Sequence, residues 1–220
     1  MSTCRINGCH KPTTRWGTLC STHRNRQRRH GHPNQTGVTK AELKPYVEIV
    51  KKRKARNQNS LLWVTLQSRW EQLIDNARLT LKDYLNGKAM SRHIVKTSKE
   101  LVNLHETAEF DEISQTALAM FILQRQHQTR YRDQNSFLHQ LTRRLRGLSD
   151  MNAGTWFDHS TGKVKRVYRD LPARTSQQFG QAIIDVFGLA GAILAKKEIE
   201  EATAKHLEKQ AIINAIKELQ

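Results

Sequence analysis

Residues 117–123 read Ala-Leu-Ala-Met-Phe-Ile-Leu, a run that is apolar on nearly every face of a helix. We expect this run to form the deepest part of the core. Asp111 and Glu112 precede it, as the helix dipole favours in a first turn, so the helix is predicted from about Asp111 to Tyr131. Because an all-round apolar helix needs other helices around it, the run predicts a mostly α fold with a bundle-like body.

Amphipathic segments on both sides of this run supply the surrounding helices. Thr39-Lys40-Ala41-Glu42 has the spacing of a capping box, and Ser60 is placed to cap the next helix. The last of these segments carries Arg143, Arg144 and Arg146 on its predicted outer face and ends at Gly147. The predicted helices cover residues 39–56, 60 to a point before Gly87, 91–105 and 136–147.

Residues 176–220 are predicted to be helical to the end, as one helix or two. Their final section has a narrow apolar seam between residues of alternating charge, made of Ile199, Ala202, Leu207, Ala211, Ala215 and Leu219. The seam fits either docking on the chain's own helices or a homodimer through residues 199–219. Residues 181–220 hold five basic and six acidic residues, and this near-neutral charge favours the dimer.

The helical spacing of apolar residues ends near residues 155–169, where a β-hairpin is predicted. Thr155–His159 and Val164–Tyr168 flank the turn sequence Ser160-Thr161-Gly162-Lys163, and both a two-residue and a three-residue loop fit. Its aromatic residues either pack the hairpin onto the helices or stack on exposed bases. The predicted domains are therefore a finger over 1–36, a helical body with the hairpin over 39–175, and C-terminal helices over 176–220.

Charge indicates the class of partner. The chain of 220 residues has a formal net charge of +17, and residues 1–40 hold eight Lys/Arg and no acid. Such a charge predicts a polyanionic partner, either nucleic acid or an anionic membrane. The membrane is disfavoured, since no run of about 18 apolar residues and no basic amphipathic helix with large exposed apolar residues is visible. No leader with a basic start and an apolar run is visible either, which predicts a cytoplasmic protein.

All three cysteines fall in the pattern Cys4-x4-Cys9-x10-Cys20-x2-His23. Three thiolates and an imidazole supply the tetrahedral set that zinc prefers, and the binding energy can fold a segment with little apolar material of its own. His10 is a rival ligand, but the two-residue gap lets Cys20 and His23 converge. We therefore predict one structural Zn²⁺, with His30 and His32 as polar surface residues and Trp16-Gly17 as a turn and small apolar lid.

The motif Gly17-Thr18-Leu19-Cys20-Ser21-Thr22-His23, followed by an arginine-rich tail and Gly31-His32-Pro33, resembles a known finger. It is similar to the small Cys3His finger at the start of many phage-type HNH endonucleases and related mobile-element proteins. The resemblance covers residues 4–33. It implies an accessory DNA-binding module whose partner is DNA rather than RNA.

Four basic groups are the candidate contacts to nucleic acid. Each clusters cations on one short element, where they can neutralise phosphates. They are Arg24, Arg26, Arg28 and Arg29; Lys51, Lys52, Arg53 and Lys54; Arg143 and Arg144; and Lys163, Lys165, Arg166 and Arg169.

Together these patterns predict a zinc-finger nucleic-acid-binding protein without its own catalytic site. One alternative is an HNH-like endonuclease or recombination factor; Asp158-His159 resembles the start of an HNH motif, but no Asn or His follows between 160 and 205. The other alternative is a protein-interaction or assembly factor. No pattern for a small-molecule substrate is evident.

Overall fold

The computed structural model describes residues 2–14, 17–149, 155–166 and 170–218, with only the backbone described at 166 and 215–218. Within that part of the chain the protein is mostly α-helical with one two-stranded antiparallel sheet, which confirms the predicted fold class. The helices are α1 (Ser21–His30), α2 (Lys40–Arg56), α3 (Leu61–Leu85), α4 (Arg92–Thr107), α5 (Phe110–Gln126), α6 (Gln134–Arg146) and α7 (Ala173–Glu218). The strands are β1 (Thr155–Asp158) and β2 (Lys163–Arg166).

Side-chain caps fix where several helices begin. Thr39 Oγ1 accepts a hydrogen bond from the Glu42 backbone N–H (3.0 Å), and the Glu42 carboxylate accepts one from the Thr39 N–H (3.3 Å), which confirms the capping box. Ser60 caps α3 as predicted, by accepting from the Leu62 N–H. α6 begins two residues before its predicted start, because Asp133 accepts from the Ser136 N–H (2.7 Å) and caps the helix there.

α5 lies at the centre of the helical body. All seven residues of the run 117–123 are buried, as predicted. α5 packs mainly against α7 and α2, while α3 packs on α4, and α6 and α4 pack on α7. Trp70 of α3 and Phe187 of α7 meet in the same core with ring centroids 6.2 Å apart.

The C-terminal segment is one continuous helix rather than two. α7 passes through its glycines because they allow close packing: a Cβ at Gly191 would lie 2.4 Å from Cδ2 of Phe121 in α5. One 18-residue stretch of α7 is long and apolar enough to cross a membrane by length and composition, and half of it is buried inside the protein. A buried core helix has the same composition, so the absence of a membrane span stays a prediction.

α5 ends earlier than predicted. It stops at Gln126 instead of Tyr131, and a short 3-10 turn follows over Gln128–Arg130. The turn directs the Arg130 guanidinium onto the Glu42 carboxylate and the carbonyl oxygen of Gly37 (3.0 Å). The hydrogen bond from Arg130 lowers the pKa of Glu42 below its usual value. A contact across about 90 residues therefore overrides the local helical pattern.

The hairpin is present, but its loop is longer than predicted. Thr155 pairs with Arg166 and Asp158 pairs with Lys163, so four residues, 159–162, form the loop. The Asp158 carboxylate closes it by accepting from the Ser160 N–H (3.0 Å) and the Thr161 hydroxyl (2.9 Å). Gly162 takes the predicted left-handed conformation, with φ of 62°. The end of the predicted second strand, 167–169, lies outside the described residues.

Candidate metal centre and basic surfaces

The N-terminal segment brings the four predicted ligands together from two turns. The backbone of Cys4 bonds to the Lys11 carbonyl (3.0 Å), and the Cys9 N–H bonds to the Ile6 carbonyl (3.0 Å), which folds the first pair back on itself. Cys20 is the N-cap residue of α1 and His23 lies in the first turn of that helix. Cys4, Leu19 and Cys20 are buried and Ile6 packs against them, so this segment has only a very small apolar core of its own.

The donor atoms are arranged as a tetrahedral site requires. The Sγ atoms of Cys9 and Cys20 lie 3.8 Å apart, and His23 Nδ1 lies 3.4 Å from Cys4 Sγ and 3.3 Å from Cys20 Sγ. All four donors lie within 4.8 Å of one another. Tetrahedral bonds of about 2.3 Å to sulfur and about 2.0 Å to nitrogen place donors roughly 3.5–3.8 Å apart. The set can therefore hold one metal ion, with Nδ1 as the histidine ligand.

His10 does not join this group, so the choice of His23 agrees with the geometry. Among the described residues, these four side chains form the one group of His, Cys, Asp or Glu donors with metal-binding spacing. Four protein ligands complete a tetrahedron and leave no position for a water molecule, which is the arrangement of a structural site. Trp16, the predicted lid, lies outside the described residues.

Gln140 of α6 joins the finger to the helical body. Its Oε1 accepts from the Val38 N–H (2.9 Å), and its Nε2 donates to His30 Nδ1 (3.0 Å) at the end of α1. His30 is half-buried rather than a free surface residue, which corrects the prediction. Burial, with the nearby Arg143 cation, lowers the pKa of His30 to about 4, so the ring is neutral and able to accept.

Gly31 allows the two parts to approach closely. It ends α1 with φ of 84°, and its carbonyl accepts from Asn135 Nδ2 (2.8 Å). A Cβ at this position would lie 2.9 Å from the Asn135 carbonyl oxygen and from His139 Cδ2. A glycine is therefore required by both conformation and space.

The segment 33–37 is also held in place. Gln35 is buried; its Nε2 donates to the Arg130 carbonyl (3.2 Å) and its Oε1 accepts from the Arg132 N–H (3.1 Å). Sequence reasoning missed Gln140, Gln35 and Arg130 as the residues that position the finger. They lie in polar patterns that are typical of surface positions, and their partners are about 100 residues away, so no local signal marks them.

α1 carries the first basic group on its solvent side. Arg24, Arg26, Arg28 and Arg29 are all exposed. Arg29 pairs with Asp170 (3.3 Å), and Arg24 donates to the Thr14 hydroxyl (3.3 Å). Cys20 is the N-cap of this helix and His23 lies in its first turn, so the arginines come directly after the candidate ligands in the chain.

The second basic group is divided. Lys51 and Lys52 are exposed, with Lys51 near Glu48 (3.2 Å). The other two cations are paired within the fold, Arg53 with Glu198 and Glu201 and Lys54 with Asp111.

The arginines of α6 do not all point outward as predicted. Arg143 pairs with Asp170 (3.0 Å), and Arg146 is largely buried beside Glu100 (2.8 Å). Arg144 is half-buried, and its Nε has no hydrogen-bond partner among the described residues. Packing of α6 between the finger, α4 and α7 covers positions that the helical period alone assigns to solvent.

The hairpin exposes aromatic rings together with lysines. Trp156 and Phe157 are each 49% exposed, so the rings are not packed into the helical core. Lys163 is exposed, and Lys165 pairs with Asp158 and lies over the Trp156 ring, 5.5 Å from its centroid. The side chain of Arg166 and all of Arg169 lie outside the described residues.

Asp158, the residue that resembled the start of an HNH motif, is used inside the hairpin. The Asp158 carboxylate accepts hydrogen bonds from Lys165 and from the loop residues, and these bonds, that of Lys165 first, lower the pKa of Asp158 well below its usual value. The Asp158 carboxylate therefore stabilises the hairpin loop.

Comparison of the chain with protein-family models, with curated proteins and with solved structures found no match to any of them, so the likeness of residues 4–33 to a known finger depends on the motif alone.

Proposed function

We propose that this protein binds nucleic acid, with DNA favoured, through an arginine-bearing helix that a zinc ion holds in place. The observation that carries the proposal is the continuity of α1, which begins with Cys20 and His23 and continues into four exposed arginines. DNA is favoured over RNA because the finger motif resembles that of DNA-handling proteins. The chain itself supplies the scaffold and the cations, and it needs no catalytic site for this role.

Zinc is the metal that the donor set favours. Three thiolates with one imidazole in a tetrahedron suit zinc better than the hard, oxygen-binding cations. The bound ion would stabilise a segment that lacks a sizeable core, and it would fix the first turn of α1. The role is structural.

The zinc part of the proposal is tested by elemental analysis. We expect about one zinc per chain in the purified protein, and loss of that zinc in the Cys20→Ala variant. His10→Ala is the matched control and should retain the metal, because His10 lies outside the donor group. A wild-type protein without zinc would contradict this part of the proposal.

Electrostatics support α1 as the contact surface. Residues 1–40 contain no acid, so no carboxylate of the same segment repels a phosphate backbone that approaches α1. The Asp170 carboxylate beside Arg29 belongs to the segment before α7. Docking of the finger on α6 also holds the end of α1 in place, so little backbone freedom is lost when the arginines bind. Lys51, Lys52 and the exposed face of the hairpin supply further cations, and the Trp156 and Phe157 rings can stack on unpaired bases.

The contact surface is tested by the salt dependence of duplex binding. Replacing Arg24, Arg26, Arg28 and Arg29 by alanine should reduce the slope of log affinity against log salt by about 3–4 if all four touch phosphate. The control replaces four exposed arginines elsewhere, Arg69, Arg78, Arg92 and Arg125, which removes the same net charge. We expect the control to change the slope by less than about one unit. Equal effects of the two variants would reject α1 as the interface.

A nuclease assay separates the proposal from the endonuclease alternative. With Mg²⁺ and linear duplex DNA in the buffer, we expect binding without strand cleavage. Cleavage that persists after removal of contaminating nucleases would favour the endonuclease.

A further inference from the structure

α7 extends well beyond the helical body. Among the described side chains, the last ion pairs between α7 and the body are those of Arg53 with Glu198 and Glu201, and residues 200–214 are exposed throughout. At 1.5 Å per residue, the part from 202 to 218 projects about 25 Å into solvent. A free helix of this length is only marginally stable in water, so a partner along it would stabilise it.

One edge of α7 runs along both the body and this projection. We call it the outer edge; its members follow one another at steps of three or four and are all exposed. They are Leu189, Ile193, Lys197, Glu200, Ala204, Leu207 and Ala211. The edge faces away from Phe187, Gly191 and Ala195, which are buried against the body. Leu189, Ile193 and Leu207 are 67%, 49% and 60% exposed, so the edge presents exposed apolar side chains on both sides of the central Lys197 and Glu200.

From this edge we infer that the protein forms a homodimer in which two copies of α7 pair antiparallel. The charges near the middle of the edge select the orientation. In an antiparallel pair whose two-fold axis lies between residues 198 and 199, Lys197 of each copy faces Glu200 of the other. A parallel pair would instead place Lys197 against Lys197 and Glu200 against Glu200, which is unfavourable.

The same register matches the apolar residues. Ile193 of one copy faces Ala204 of the other, and Leu189 faces Leu207 within one residue. The contact from 189 to 208, which this axis maps onto itself, is about 29 Å long at 1.5 Å per residue. It places the projecting part of each α7 over the body of the other copy.

The surface beside the outer edge extends the contact. A cavity of about 190 Å³ between α3 and α7 is lined by Leu62, Trp63 and Ile193. Leu62, which lines this cavity, is 43% exposed. Helix pairing at Ile193 would cover this apolar surface, and the near-neutral charge of residues 181–220 limits repulsion between two chains of +17.

The inference is independent of nucleic-acid binding. It is tested on full-length, nuclease-treated protein by light scattering and sedimentation between about 1 and 100 µM. At the highest concentration we expect twice the mass of the monomer.

Charge reversals test the orientation. Lys197→Glu and Glu200→Lys should each weaken the dimer at least about tenfold, because each creates two like-charge contacts per dimer. The double variant K197E/E200K should return to within about threefold of wild type. Lys209→Glu, a reversal off the outer edge, is the control and should leave the dimer intact.

A monomer at 100 µM would overturn the inference. So would single reversals without effect, or a double variant that stays as weak as the singles, since antiparallel pairing predicts loss in the singles and restoration in the double variant, whereas a parallel pair predicts little change in any of them. Zinc content and the salt slope of DNA binding, measured on the same variants, remain unchanged if only this edge is affected.

Discussion

Removing the Gln140 side chain should weaken the attachment of the finger to the helical body. Gln140 is fully buried and bonds at once to the Val38 N–H and to His30. In Gln140→Ala, the buried Val38 N–H loses its partner, which costs about 1–3 kcal/mol, and the lost bond to His30 adds about 0.5–1.5 kcal/mol. Water can reach half-buried His30 but not Val38, so we expect a total of about 2–4 kcal/mol, or a fall in Tm of about 4–16 °C.

The measurement is urea unfolding at pH 7.5 with zinc in excess, together with hydrogen exchange of residues 21–38. Gln72→Ala, at an exposed position of α3, is the control and should change the free energy of unfolding by less than about 0.5 kcal/mol. Faster exchange confined to the finger and residues 33–38 would locate the effect. If Gln140→Ala and Gln72→Ala unfold at the same urea concentration, the junction does not contribute as we describe.

Three further predictions follow from packing, protonation and exposure. Gly191→Ala should destabilise the protein by about 1–3 kcal/mol in thermal unfolding, because its Cβ would lie 2.4 Å from the Phe121 ring. In Gly188→Ala the Cβ would lie 3.0 Å from Ile184 of the same helix and only at van der Waals distance, 3.9 Å, from Phe121, so this variant should be neutral or stabilising by up to about 1 kcal/mol. The pKa of His30 in the folded protein, about 4, lies below its value in the unfolded chain. The stability that depends on neutral His30 is therefore present above about pH 6.5 and is lost as the pH falls towards 4. In His30→Asn, the free energy of unfolding should fall less steeply between these two pH values, as measured by urea unfolding. Trp156→Ala should weaken binding of a single-stranded oligonucleotide by about 1–3 kcal/mol in fluorescence titrations while duplex binding changes little; equal loss on both substrates would count against stacking.

Local patterns were sufficient for much of the fold and for the candidate ligands. The capping box at Thr39, the apolar run 117–123 and the spacing of Cys20 and His23 depend on neighbours within a few residues, and each is present as expected. The features that could not be predicted depend on distant partners. α5 stops early because Arg130 reaches Glu42, and Arg144 is covered because the finger and the body share α6.

The length of the hairpin loop could not be predicted either, although the residues that determine it are close in sequence. A two-residue and a three-residue loop both satisfy the strand pattern, and the four-residue loop is selected by one side chain, Asp158. Strand patterns carry no information about which carboxylate closes a turn. The proposed dimer and the proposed nucleic-acid contacts cannot be read from the pattern or the fold of one chain, because each involves a second molecule.

The junction of α1 with α6 has a consequence for synthesis on the ribosome. The ligand set is complete once His23 has emerged, whereas Gln140 follows 117 residues later in the chain. At about 5–20 residues per second, the finger spends roughly 6–23 s without the surface that anchors it. During that interval metal loading and the folding of the body proceed as separate events. If no metal ion bound, the N-terminal segment would still be unfolded when α6 is synthesised, so a chain without its finger docked would arise before release from the ribosome.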